Sequence, residues 1–143
     1  MKKIILIMML AVSIFANDVI VKNSSHSVDK TVENIKQILN KKGLNIFAIV
    51  DHKANAKKVN MDMNECKVII FGNPKMGTKL MNNNMLSGLD LPLKILVYKD
   101  TNNKVKVAYR DGSWLKEEHS LTLDKLTNKV TNALDKITNK AIK

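Results

Sequence analysis

The sequence predicts one α+β domain on three observations: five short runs rich in β-branched residues, two longer stretches with apolar residues at helical spacing, and no internal repeat or Pro/Gly-rich linker dividing them. A length of 143 residues with 45% hydrophobic and 26% charged content is ordinary for a single globular unit. The segment before the first run reads differently. Lys2 and Lys3 precede an uncharged apolar stretch over residues 4–15, and Ala16 then meets the polar pair Asn17–Asp18, the pattern of a secretory signal peptide over residues 1–16. The stretch is shorter than the roughly 20 apolar residues that cross a bilayer, and no cysteine follows to carry a lipid. Only Ile14 departs from the pattern, standing where cleavage favours a small residue. The mature domain is then residues 17–143, periplasmic or secreted, with no stable membrane anchor after cleavage.

Asp18 to Lys22, with Val19, Ile20 and Val21, reads as the opening strand, followed by a turn at Asn23–Ser25. Ser27 is placed to cap a helix with Asp29 and Glu33 near its positive end; Val28, Val32, Ile35 and Leu39 share one face, and Gly43 supplies a left-handed stop. Leu44 to Val50 predicts a second strand with Ile46, Ala48 and Val50 on one side and Phe47 and Ile49 on the other, both faces covered. Residues 53–60 form a short helical or irregular link. Lys67 to Phe71 is a third strand, and Met76 to Met85 a short helix or loop. Leu93 to Tyr98 and Lys104 to Tyr109 make a hairpin around Asp100–Asn103, the second strand with one wet face. A helical turn starts near Ser113. The last segment carries Leu123, Leu126, Val130, Leu134, Ile137 and Ala141 in a stripe one helix wide, which must cover a sheet face.

The net charge is +11, and loss of Lys2 and Lys3 with the leader lowers it by two, to +9. Nearly all of this is lysine, with Arg110 the single arginine, so bidentate arginine recognition is scarce. Such a surface could attract acidic polymers, but export and the few aromatic residues argue against nucleic acid. Cys66 is alone and cannot close an intramolecular disulfide, so the fold must be held by its core.

Four stretches are similar to a known family, the bacterial domain of unknown function 302. They are Phe47-Ala48-Ile49-Val50-Asp51-His52 with Ala56 downstream, Val68 through Thr78, Leu91-Pro92-Leu93-Lys94-Ile95-Leu96-Val97-Tyr98, and Val107-Ala108-Tyr109, ordered along residues 18–142. The resemblance implies a β-α-β-β-β-β-α arrangement with both helices on one face of a curved, mainly antiparallel sheet. It implies no mechanism, cofactor or catalytic residue.

Asp51 and His52 sit where a strand runs out, a place where polar side chains can face a crevice. Adjacent residues on a strand point to opposite faces, so a turn-forming Asp beside a capping or hydrogen-bonded His explains the pair equally. Gly72-Asn73-Pro74-Lys75-Met76-Gly77-Thr78 invites comparison with a phosphate loop, which fails because Thr78 stands where the lysine should be and Pro74 removes an amide. Exposed amides near Gly77 and Thr78 beside Lys75 could still cradle a small anion. Met61, Met63 and Cys66 are soft ligands suited to cuprous copper, although Met76, Met81 and Met85 fall at spacings that suit core filling and His26, His52 and His119 form no close-spaced pair. No nucleophile elbow is present.

The expectation is therefore a cell-envelope binding module in which Asp51, His52, Asn73, Lys75, Gly77 and Thr78 meet in one crevice and take a small anionic ligand. Its alternatives are an enzyme using His52 as general base and a soft-metal protein. A homodimer could form through the hairpin edge or the face under the last helix.

Overall fold

Alternation decides the architecture, because each strand puts every second side chain on the same side. The computed structural model describes residues 18–143; the leader predicted over 1–16 lies outside the described residues. Strands β1 (Ile20–Asn23), β2 (Asn45–Asp51), β3 (Cys66–Gly72), β4 (Leu93–Lys99) and β5 (Val105–Tyr109) form one sheet in the order β1-β5-β4-β3-β2. Every pairing is antiparallel. The β4–β5 hairpin turns at Asp100, whose carboxylate accepts the amides of Asn102 and Lys104 at 2.9 and 2.8 Å.

Ile69 and Phe71 of β3, Ile95 and Val97 of β4, and Val107 and Tyr109 of β5 point to one face and are buried there. Two long helices cover that face. In α1 (Val28–Lys41), Ser27 accepts the Lys30 amide as expected of the cap, and Val28, Val32, Ile35 and Leu39 turn inward. Gly43 ends the helix at φ 64°, the left-handed conformation that glycine adopts without strain. Helix α5 (Asp124–Ala141) lies beside α1 and buries Val130, Leu134, Ile137 and Ala141 in the same cluster. The α+β class and both helices on one face agree with the sequence reading.

One lysine enters this layer. The ammonium of Lys22 on β1 donates to Asp135 at 2.7 Å, Thr138 at 2.9 Å and Asn139 at 2.7 Å, all on α5, and lies 5.5 Å from the Tyr109 ring centroid. Burial lowers its pKa, but the bond to Asp135 and the Tyr109 hydroxyl outweigh this and leave it raised. The edge strand is thereby tied to the helix that covers it.

Three sequence expectations are corrected here. Strand β2 does not alternate as read, because the register slips between Ile46 and Ala48. The bulge at Phe47 lets Ile46 and Ile49 both pair with core-facing residues, Phe71 and Ile69, while Ala48 and Val50 pair on the opposite face. As an edge strand it is also not covered on both sides: Phe47 is 52% exposed. The uncertain links prove helical, as α2 (His52–Lys58), α3 (Pro74–Asn83) and α4 (Gly112–Glu118), with a 3₁₀ turn at Met85–Leu89. Met85, expected to fill the core, is 71% exposed.

Candidate functional site

The antiparallel β2–β3 pair places the expected site residues at opposite ends of the sheet. Asp51 pairs with Lys67, whereas Asn73 follows Gly72, which pairs with Asn45 at the other end of β2. Five strand residues separate the two ends, on the order of 17 Å. The single crevice expected from Asp51, His52, Asn73, Lys75, Gly77 and Thr78 therefore does not form.

At the first end, Asp51 has a local role. Its carboxylate caps α2 by accepting the Ala54 amide at 2.9 Å and faces the Lys67 ammonium at 3.3 Å. The Ala54 amide, followed by Lys67, holds the carboxyl below its ordinary range. Lys67 also meets Asp29 of α1 at 2.7 Å, which with Asp51 raises the lysine. His52 begins α2 as an exposed residue. It lies at the far end of the sheet from the Gly72–Thr78 turn, so the general-base reading loses the neighbours it required.

At the second end, the Gly72–Thr78 segment starts α3. Asn73 accepts the Met76 amide on its side chain at 3.2 Å and the Gly77 amide on its carbonyl at 2.9 Å, and Pro74 has no N–H. Gly77 and Thr78 thus lie within the helix, and the anion cradle expected from their amides is corrected to a capped helix start. Lys75 points from an exposed position.

Beside this helix start is a cleft of about 380 Å³ that the sequence did not reveal. Phe47 at the bulge, Gly72 and Pro92 form one wall; Met76, Gly77 and Met81 of α3 form the other. Leu91, Leu93 and Val130 line the remainder, leaving Asn73 and Thr78 as polar residues at the lining. A Cβ built on Gly72 would stand 3.6 Å from the Phe47 ring, so the glycine brings that ring close to the strand end. A Cβ on Gly77 would meet nothing within 4 Å. The only signals available in sequence were the two glycines, Phe47 in an otherwise alternating strand, and the Leu91–Pro92–Leu93 run.

Cys66 opens β3 half-buried, and burial pushes its thiol pKa up, away from the thiolate that binds metal or attacks carbon. Met61 is 65% exposed and lies in the loop before it. Among the described residues no three His, Cys, Asp or Glu side chains gather as a metal site, and no helix is long and apolar enough to cross a membrane. Buried His119 bonds Asp90 at 2.8 Å across 29 residues, a pairing with no sequence signature.

The family model described as "Domain of unknown function DUF302" matches residues 20–140. Over 111 residues the chain is 39% identical to the Fluoride-specific ion channel FluC 1 of Brucella suis biovar 1 (strain 1330), a match covering 78% of this chain and 44% of that protein. The Fluoride-specific ion channel FluC 2 of Brucella melitensis biotype 1 matches at 39% identity over 111 residues, 78% of this chain and 41% of that protein. The match spans less than half the length of these relatives. The crystal structure of an uncharacterized conserved protein DUF302 from Bacillus stearothermophilus has a TM-score of 0.71 at 18% identity, covering 89% of this chain and 97% of that one. At that identity the likeness concerns the fold.

Proposed function

This chain belongs to the DUF302 family, and from that premise we propose that it is an exported binding module that takes a small, mainly apolar ligand in the cleft between β3 and α3. The observation that carries the reading is Gly77. A glycine inside a helix costs about 0.5–1 kcal/mol relative to alanine, yet a Cβ here would meet only open space on the cleft wall. Helix stability favours a side chain at this position; room in the cleft favours none. The volume suits a ligand at the small end of the usual range, and the apolar walls with Asn73 and Thr78 supply one oriented polar contact. Export rests on the residues 1–16 pattern, and N-terminal sequencing of protein from cell fractions tests it directly.

The channel name of the partial relatives belongs to longer proteins. A cleft walled by Phe47, Met76, Met81 and Leu91 does not suit fluoride, a small and strongly hydrated anion.

The test is titration with the neutral fluorophore N-phenyl-1-naphthylamine, comparing the wild type with Gly77→Leu. Saturable binding at one site, lost in a Gly77→Leu protein with native circular dichroism, is expected. Equal binding by the filled variant overturns the proposal.

A further inference from the structure

A second groove meets the cleft at Leu93, which lines both. It measures about 300 Å³ and is floored by Val68, Leu96 and Ala108, successive neighbours on β3, β4 and β5 whose side chains point away from α1 and α5. Arg110 and Trp114 stand at its end, the guanidinium carbon 4.4 Å from the centroid of the indole ring. Stacking of this kind holds the planar guanidinium in place while leaving its N–H edge free.

The other charged groups of the groove are engaged internally. Asp90 accepts or shares a hydrogen bond with His119 at 2.8 Å, and Asp111 accepts the Trp114 amide at 3.0 Å as the cap of α4. Lys94 donates to the carbonyls of Asp90 at 3.3 Å and Pro92 at 3.1 Å. Arg110 has no such engagement: among the described residues no carboxylate lies within ion-pair distance of it. A pre-positioned bidentate donor thus stands at one end of an apolar floor, in a chain whose other 23 basic residues are lysines.

We propose that this groove binds a small carboxylate carrying an apolar group, with the carboxylate forked on Arg110 and the apolar part on Val68, Leu96 and Ala108. The floor selects against inorganic anions, which have nothing to bury there. The guanidinium selects against neutral apolar molecules of the same size. Beyond Leu93 the two linings have no residue in common, and the groove does not depend on the function proposed for the cleft.

Trp114 is the chain's one tryptophan, so its fluorescence reports on the groove. Titration of the mature protein with hexanoate should give a saturable change, with hexanol and acetate both much weaker. Arg110→Lys keeps the charge but loses the fork and should weaken hexanoate by on the order of tenfold. Arg110 is exposed, so the variant should keep its native circular dichroism. Gly77→Leu, with the cleft filled, should bind hexanoate like the wild type. Absence of a saturable change in the wild type, hexanol binding as well as hexanoate, or an unaltered affinity in Arg110→Lys overturns the proposal.

Discussion

Gly112 and Thr127 bring α4 and α5 into backbone contact. A Cβ built on Gly112 would collide with the Thr127 carbonyl and stand 3.0 Å from the Thr131 amide nitrogen. The glycine is buried and has no unusual backbone angle, so its value is the closeness it permits. The colliding atoms belong to a helix backbone and cannot rotate aside. Gly112→Ala should therefore lower stability by about 1–3 kcal/mol or more, through forced separation of the two helices. Urea denaturation checks this, and an unchanged midpoint would refute the contact.

Gly77→Ala should act in the opposite direction. Its Cβ enters open space, so the substitution should raise stability by about 0.5–1 kcal/mol and the thermal midpoint with it. The same methyl should weaken a cleft ligand. Stabilisation without any loss of N-phenyl-1-naphthylamine binding would separate the glycine from the proposed function.

Asp51 gives a pH test whose sign is fixed by its depressed carboxyl. The ordinary value is 3.8, and the folded value lies below it, so the group's contribution is present above 3.8 and is lost as pH falls through the folded value. At neutral pH Asp51→Ala should cost about 1 kcal/mol, mainly through the lost cap on Ala54. Denaturation at neutral and strongly acidic pH should show the gap between wild type and variant narrowing in acid. A gap independent of pH would refute the charged cap.

Lys22→Met keeps the apolar stem but removes the ammonium from Asp135, Thr138 and Asn139. The expected loss is about 1–3 kcal/mol, with β1 losing hydrogen-exchange protection before the central strands. Because the folded value of Lys22 is raised, its contribution should be complete below 10.5 and vanish as pH climbs through the folded value. Equal protection of β1 in both proteins would exclude the tie.

Much of the fold was legible because its signals are local. Ser27 before an apolar helical face, Gly43 after it, the Asp100–Asn103 turn and the stripe from Val130 to Ala141 each carry their own physical cause. Strand β2 was misread because a bulge changes the phase of alternation without leaving a mark in composition; Phe47 and Ile49 looked like one face and are not. Helices α2 and α4 were obscured by their shortness and α3 by its asparagines, although Asp51, Asn73 and Asp111 each proved to be the cap. The site was the least legible part. Asp51, His52, Asn73 and Lys75 were read as converging because strand ends often do, whereas register alone decides which ends meet. The cleft and the Arg110 groove are assembled from residues far apart in sequence, and no single spacing announces either.

The β2–β3 register that parts Asp51 from Asn73 also partitions how the chain can vary. Groups more than about 7–10 Å apart with no common neighbours contribute independently to free energy, and the Lys67 cluster and the cleft wall stand at opposite ends of one rigid sheet. Drift at the charged end can accumulate without retuning the ligand end, so relatives could diverge in what they accept while keeping one unaltered scaffold beneath.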